Sequence, residues 1–458
     1  RLFNMNAVIV GCGKVGSELA RTLVNDGHNV SIIDNSQKSL DNISEDLDVM
    51  TILGNGGNLE LLKEAGVDTA DIFIAVSTSD EINLLSCLIA KQFSKCETIA
   101  RVRNPLYSRQ TDFFKAKLGL SRIINPEYIA ATEIYNILQF PALSRLDVFE
   151  GTNVAISTMH ITKDYRMVGK SLQQIRMDEP NIRALVCAAV RGDQVIIPSG
   201  DYVVQEGDDI TMVATRSDIR AFIKAEGVQN TPAEKIMIVG GGTISYYLIE
   251  KLLERGRSVR LIEQNEQKCI EFSERFENCE VIKGDGTDRK FLNKHGISVT
   301  DAFVPLTGID EENIVIANYA RMNTKAKIVT KVTRTDMSDL IQVLSLDSVV
   351  FPKVMCADII AQYVRARSAG AGRNVATLFR YLDNRIEIGE YKAGTDYKYL
   401  NVPFAKLNLK KSLIIAGLIR GGEFVIPSGN NMIRANDSVI VVTTDKSVQS
   451  LDDIVAKK

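Results

Sequence analysis

Short runs of apolar and β-branched residues recur through the front of the chain: AVIVG from Ala7, VSIID from Val30, VMTIL from Val49, DIFIAV from Asp71 and TIARV from Thr98. A helix-length segment separates each run from the next. Strands that are apolar on both faces belong in a parallel sheet covered by helices, so the pattern predicts an α/β layer. The stretch after Pro126 reads as helical. Then the pattern changes: NVAISTMHI from Asn153 and DDITMVAT from Asp208 alternate, and SDIRAFIKA follows. That alternation predicts a smaller α+β lobe.

The same succession returns in the second half, as expected of an internal repeat. Gly11 and Gly13 correspond to Gly240 and Gly242, 229 positions on, as do Val30, Ile33 and Asp34 to Val259, Ile262 and Glu263. One residue is then gained, so that Gly54, Gly56 and Asp71 match Gly284, Gly286 and Asp301 at an offset of 230. SDEIN (Ser79–Asn83) falls on IDEEN (Ile309–Asn313), and the ARV ending at Val102 on the TKV ending at Val332. After a short deletion INPEY (Ile124–Tyr128) lies against VFPKV (Val350–Val354), and VIIPSG (Val195–Gly200) against FVIPSG (Phe424–Gly429). The predicted fold is therefore a tandem duplication of a Rossmann-like parallel-sheet N-lobe followed by a small α+β C-lobe. The expected boundaries are an N-lobe over 5–125, a helical hinge over 126–145 and a C-lobe over 146–227. A polar linker over 228–234 leads to the second N-lobe (235–351), hinge (352–370) and C-lobe (371–458).

Bulk properties narrow the function. At 458 residues the chain exceeds one ordinary core. Its formal net charge of −2 and lack of a dense Lys/Arg run argue against a nucleic-acid partner. No apolar run approaches the roughly 18–20 residues of a membrane helix. Strand-like NAVIVG near the start reads as a first strand, and no secretory signal is expected there. Seven cysteines without a CxxC read as reduced, mostly buried thiols of a cytosolic protein; Cys269 and Cys279 lack metal-ligand spacing.

Gly11-x-Gly13-x-x-Gly16 follows a predicted strand and opens an amphipathic helix, the context in which this spacing binds a nucleotide. The first glycine permits the turn and the second a close phosphate. The third permits close helix packing, and the helix N-terminus offers free N–H groups. Cys12, Lys14 and Val15 complete that turn. Asp34, with Asn35 beside it, ends the next strand, where an acid accepts hydrogen bonds from a ribose diol and disfavours a 2′-phosphate. Gly54, Asn55 and Gly56 leave room for an adenosine across the sheet edge. Ser77, Thr78 and Asn83 follow the fourth strand. Ser77 or Thr78, three residues before Asp80 or Glu81, also reads as a helix cap, and the two roles are compatible. Arg101 ends the fifth strand, where a guanidinium reaches phosphates. The second copy offers Gly240 and Gly242 with Thr243 and Ile244, then Glu263 and Gln264. Gly284, Asp285, Gly286 and Thr287 follow, then Thr307, Asn313 and Lys331. Its departures are Ser245 for the third glycine, Asp285 for Asn55, and Lys331 for arginine.

No catalytic residue is assigned. The three histidines, His28, His160 and His295, read as surface or packing residues, and no GxSxG, HExxH or P-loop is present. Two nucleotide folds without a catalytic constellation read as a sensor. The order of lobes, the paired glycine turns, GDGT, DExN and IPSG resemble the RCK/KTN regulators of potassium channels and transporters, and the tandem arrangement resembles the TrkA-type peripheral subunits. The resemblance implies N-lobes that bind NAD(H) or ATP/ADP. It also implies a homotetramer forming an eight-lobe ring on the cytoplasmic face of the membrane, and a transmembrane potassium transporter partner of the TrkH/TrkG type. An NAD-dependent oxidoreductase, or a redox or nucleotide sensor on a non-channel partner, are the alternatives. The sequence leaves open whether the C-lobes take a cation or a cyclic dinucleotide.

Overall fold

Six parallel strands form the first sheet in the computed structural model, which describes residues 4–456 except 109, 150, 229–230, 335–336, 338–343, 345, 347, 370–374, 382–384, 411, 446–447 and 449. They are β1 (Asn6–Val10), β2 (Asn29–Asp34), β3 (Met50–Leu53), β4 (Ile72–Ala75), β5 (Glu97–Arg101) and β6 (Arg122–Ile124), in the order β3-β2-β1-β4-β5-β6. Ile9 lies opposite both Ile32 and Ile74, and β4 is buried along its whole length, as a run without polar positions requires. Helices α1 (Lys14–Asn25), α2 (Gln37–Asp46), α3 (Leu59–Glu64) and α4 (Asp80–Phe93) make the crossovers. Strand order reverses between β1 and β4, which opens a crevice at their carboxyl ends. The short β6, with α5 (Pro105–Ser108) and α6 (Thr111–Leu118) before it, extends the sheet beyond the five strands read from sequence. At three residues, Arg122, Ile123 and Ile124, it is too short to stand out in the sequence as a run of its own.

After α7 (Pro126–Gln139) comes an antiparallel sheet of β7 (Arg145–Val148), β8 (Val154–His160), β9 (Ala184–Arg191), β10 (Gln194–Ile196) and β11 (Asp209–Thr215). It carries α8 (Leu172–Asp178) and α9 (Arg216–Ala225), the latter capped by Thr215, which accepts from the Asp218 N–H.

The second front lobe repeats the first. Strands β12 (Lys235–Val239), β13 (Ser258–Glu263), β14 (Cys279–Lys283), β15 (Ala302–Pro305) and β16 (Lys327–Ile328) run in the order β14-β13-β12-β15-β16, and β17 (Thr330–Lys331) pairs with β18 (Val349–Val350). Its helices are α10 (Thr243–Leu253), α11 (Glu266–Arg275), α12 (Arg289–Lys294), α13 (Asp310–Asn323) and α14 (Pro352–Ala369). The last sheet comprises β19 (Val375–Tyr381), β20 (Ile386–Lys392), β21 (Leu413–Arg420), β22 (Glu423–Val425) and β23 (Ser438–Thr443).

The chain divides by lobe type into two units: the front lobes, Asn4–Leu138 with Ala233–Ala361, and the back lobes, Gln139–Pro232 with Gln362–Lys458. Within the front unit the lobes interlock. Helix α7 buries Ala130, Ala131, Ile134 and Leu138 in one core with Ile236, Ile238, Leu248 and Leu261 of the second lobe. Full burial of Ile134 and Leu138 is worth roughly 1.5–3 kcal/mol each. Tyr247 of α10 adds a polar pin: its hydroxyl lies 2.9 Å from Ser108 Oγ, accepts from Asn125 Nδ2 at 2.9 Å and donates to the Arg103 carbonyl at 3.2 Å. Within the back unit Phe149, Ile156 and Ala188 share a core with Phe379, Ile388 and Ile440. All seven cysteines are free, and among the described residues no helix is long and apolar enough to cross a membrane.

Candidate nucleotide-binding clefts

The crevice between β1 and β4 is shaped by glycines whose geometry excludes side chains. Gly11 has φ +104°, and a Cβ there would stand 2.7 Å from the Ser77 nitrogen. A Cβ on Gly16 would stand 1.8 Å from the Gly11 carbonyl oxygen, so α1 approaches the turn through that position. Nothing lies within 4 Å of a Cβ built on Gly13. Gly13 is also the N-cap of α1 and supplies no side-chain cap, which leaves first-turn N–H groups facing open space. Cβ atoms on Gly54 and Gly56 would meet Leu61 and Val10 at 2.2 Å.

Asp34 closes the other side. Its carboxylate accepts from the Cys12 N–H at 2.5 Å and the Ser36 N–H at 2.8 Å, tying the glycine turn to the loop after β2. A carboxylate has about four acceptor sites, so capacity remains for a diol. The resulting cavity of about 470 Å³ is lined by Gly11, Gly13, Lys14, Val15, Asp34, Asn35, Gly54, Asn55, Gly56, Ser77, Thr78 and Arg101 among the residues expected from sequence.

Three expected residues lie elsewhere. Cys12 is buried behind the turn with its thiol toward the Ser39 carbonyl, and burial and then Asp34 push that thiol up to about 11. Gly16 serves packing alone. Asn83 is wholly buried and spent on the framework: Oδ1 accepts from Ser77 N (2.8 Å) and Oγ (2.7 Å), and Nδ2 donates to the carbonyls of Ser77 (3.1 Å) and Arg101 (2.9 Å). The helix cap also moves. Ser79, not Ser77 or Thr78, accepts from the Ile82 N–H at 3.2 Å, because Ser77 is engaged by Asn83. Asp80 takes the N–H groups of Arg103 and Asn104 at 2.9 and 2.8 Å.

The cavity also has walls that sequence reading missed: Ser39, Ser79, Ile82, Arg103 and Lys353. Arg103 lies in the loop two residues beyond the end of β5, at the carboxyl edge of the sheet. Lys353 arrives from the second half, at the start of α14. Arg101 donates from Nη2 to the Ser77 carbonyl at 2.7 Å, and burial, then Arg103, hold its pKa below the usual guanidinium range. Burial, then Lys14, likewise lower Lys353.

The second cleft keeps the framework and changes details. Gly240 has φ +101°, and a Cβ on Gly284 or Gly286 would collide with Phe291 at 2.0 Å or Val239 at 2.1 Å. Glu263 repeats the Asp34 bridge to the Gly241 and Asn265 N–H groups. Asn313 repeats Asn83, accepting from Thr307 N (2.9 Å) and donating to the carbonyls of Thr307 and Lys331, both at 3.2 Å. It too is buried and spent. Lys331 donates to the Thr307 carbonyl, and burial lowers its pKa. Asp285 accepts from Thr287 N and Oγ1 and from Gln264 Nε2 at 2.7–2.8 Å, a link between the acid loop and the glycine loop. Ser245 is buried where Gly16 stands in the first copy, and its Oγ donates to the Gly240 carbonyl, so the side chain fills the contact instead of breaking it. Thr243 and Ile244 open α10, with Gly242 as N-cap. None of the histidines lines the first cavity.

This arrangement is matched by two family models. The TrkA-N domain matches residues 7–126 and 236–352, and the TrkA-C domain matches 157–227 and 388–456. The chain belongs to the TrkA family. The Trk system potassium uptake protein TrkA homolog 1 of Methanosarcina mazei is 29% identical over 98% of this chain and 99% of its own length. The TrkA of Haemophilus influenzae is 28% identical over 96% of each. Among solved structures the GsuK RCK domain superposes with a TM-score of 0.65 at 17% identity, covering 98% of this TrkA-family chain and 95% of that one. The GsuK channel bound to NAD gives 0.64 at 17% identity over 98% and 79%. At that identity the likeness shows a common fold.

Proposed function

We propose that this chain is a nucleotide-binding regulatory subunit, not an enzyme, that gates a transmembrane potassium-uptake partner of the TrkH/TrkG type. One observation carries the reading: a glycine turn, a β2-terminal carboxylate and basic side chains line a single cavity at the switch point of the first sheet. The family's name for Trk potassium uptake, and a similar fold solved with NAD and in another case with ADP, support it. The ligands are NAD(H) and ATP or ADP, held in the first copy by the Gly11–Gly16 turn, Asp34, the Gly54 loop, Ser77, Thr78 and Arg101. Gly240, Gly242, Glu263, the Gly284–Thr287 loop, Thr307 and Lys331 serve in the second. Asn83 and Asn313 position the loops around them.

In this reading the N-lobes (5–125 and 235–351) sense, the helices over 126–145 and 352–370 transmit, and the C-lobes (146–227 and 371–458) complete a homotetrameric ring at the cytoplasmic face of the membrane. A ligand gates only through its preference for one ring shape. A tenfold preference is worth about 1.4 kcal/mol per site, so several coupled sites are needed for a sharp switch. The test is calorimetric titration of the full chain with NAD, NADH, ADP and ATP. Two sites per chain, one weakened by Asp34→Ala and the other by Glu263→Ala, support sensing by both halves. Absence of binding by all four ligands sinks the reading.

A further inference from the structure

The two clefts differ most in charge. Lys14, Arg101, Arg103 and Lys353 all line the first cavity. In the repeat register Lys14 corresponds to Thr243, Arg101 to Lys331, Arg103 to Thr333, and Lys353 to Glu127, at offsets of 229, 230, 230 and 226. Lys14, Arg101 and Arg103 are thus matched by Thr243, Lys331 and Thr333, three formal positive charges against one; Glu127 faces the first cluster, and Lys353 lies near Lys331 as well as near Lys14 and Arg101. Carboxylates moderate the first cluster, Asp34 in the same cavity and Asp310 beside Lys353 among them. Asp80 Oδ1 lies 4.0 Å from Arg103 Nε, and Glu127 of α7 faces Arg101 and Arg103 from a buried position that raises its pKa. The pairing is incomplete on both sides: the buried Nε of Arg101 and of Arg103 have no hydrogen-bond partner, and neither do Asp80 Oδ1 and Glu127 Oε2. Arg101, Arg103 and Lys353 are half-buried and Lys14 is exposed, and like charges so gathered repel unless an anion joins them. Open space over Gly13 and the uncapped α1 N-terminus lies on the same wall. Lys353 is the one cation of the four that the first lobe does not itself supply.

We propose that this cradle is a diphosphate site assembled from both halves of the chain, in which Lys353 is a direct phosphate ligand. The second cleft then takes a ligand of lower negative charge. The proposal rests on the nucleotide reading above and adds to it the charge selectivity of the first site and a ligating residue from the other half. ADP, ATP and NAD share the diphosphate, and the arms of the test separate them.

The experiment is calorimetric titration of full-length wild type, Lys353→Gln, Lys353→Arg and Asp34→Ala with adenosine, NAD, ADP and ATP. Lys353→Gln weakens ADP and ATP at the first site by about tenfold, or about 1.4 kcal/mol, and leaves adenosine within about twofold. Lys353→Arg recovers most of the loss. An accompanying loss for NAD places the lysine on the shared diphosphate; unchanged NAD places it on the terminal phosphate, and either supports a phosphate ligand. Equal losses for adenosine and ADP, or none, overturn the proposal. If Asp34→Ala removes ADP binding while Lys353→Gln does not, the nucleotide reading stands and this proposal falls. If wild type binds none of the four, both fall.

Discussion

Replacing Gly16 with serine copies the second half's residue into the first and tests whether close helix approach fixes the glycine turn. A Cβ there would stand 1.8 Å from the Gly11 carbonyl oxygen, where real Cβ atoms keep at least about 3.0 Å. The start of α1 must therefore retreat by more than an ångström, or the Gly11 turn must give way. Overpacking of this kind costs about 1–3 kcal/mol, and a contact against rigid backbone belongs at the upper end. Spread over a unit of this size, about 3 kcal/mol lowers the melting temperature by roughly 6–12 °C. The same retreat carries Gly13 and Lys14 away from the cavity, so first-site nucleotide binding falls with stability. The reverse change, Ser245→Gly, deletes one hydroxyl-to-carbonyl bond and places a glycine in a helix, about 1 kcal/mol for each effect. Scanning calorimetry of the full chain, with and without ADP, reads both variants. A Gly16→Ser protein that melts with wild type and binds ADP unchanged refutes the reasoning.

Asn83→Ala strips four hydrogen bonds from a buried position, and a loss of about 2–4 kcal/mol in urea unfolding is expected, with weaker nucleotide binding through displaced Ser77 and Arg101; a loss below about 1 kcal/mol counts against it. Tyr247→Phe removes the hydroxyl that joins Ser108, Asn125 and the Arg103 carbonyl, so amide hydrogen exchange in α5 and α10 should quicken; unchanged protection removes the pin. Asp208 in the first back lobe is buried, which alone raises its pKa, but bonds from Arg191, the Gln205 N–H and Tyr202 outweigh burial and leave it below the ordinary value. A depressed carboxyl stabilises above its unfolded pKa, near pH 4, and loses that contribution as pH falls through the folded value. Melting temperature should therefore drop as pH falls below about 4, and Asp208→Asn should flatten that dependence; parallel profiles for the two proteins contradict it.

The repeat, the strands of both front sheets and the glycine turns were legible because each leaves a strong local mark: an apolar run, a fixed offset, a residue type forced by a contact. Asp34 and Glu263 were legible for the same reason, as acids closing the second strand. What escaped was whatever depends on the rest of the fold. Asn83 and Ser77 are both polar beside a cleft, and sequence does not say that one is consumed by the other. Once Ser77 is taken, the cap passes to Ser79. β6 holds two isoleucines, but three residues are too few to announce a strand. Arg103 had only its place in the loop just after β5 as a signal. Lys353 had none, since its distance in sequence from Lys14 hides its place beside the same cavity.

The interlocked front lobes bear on symmetry. Two separate copies of one chain, related by a twofold axis, would present identical side chains on both sides of it, and a lysine at one position 353 would face its twin. Here the helix that fills each such place belongs to one polypeptide with two independent versions, so Lys353 stands where its counterpart is Glu127. Joining the copies end to end thus removes the obligation to be alike. The two halves are free to diverge in charge, as Lys14 and Thr243 or Arg103 and Thr333 do, and both remain bound by a shared hydrophobic core that neither can abandon.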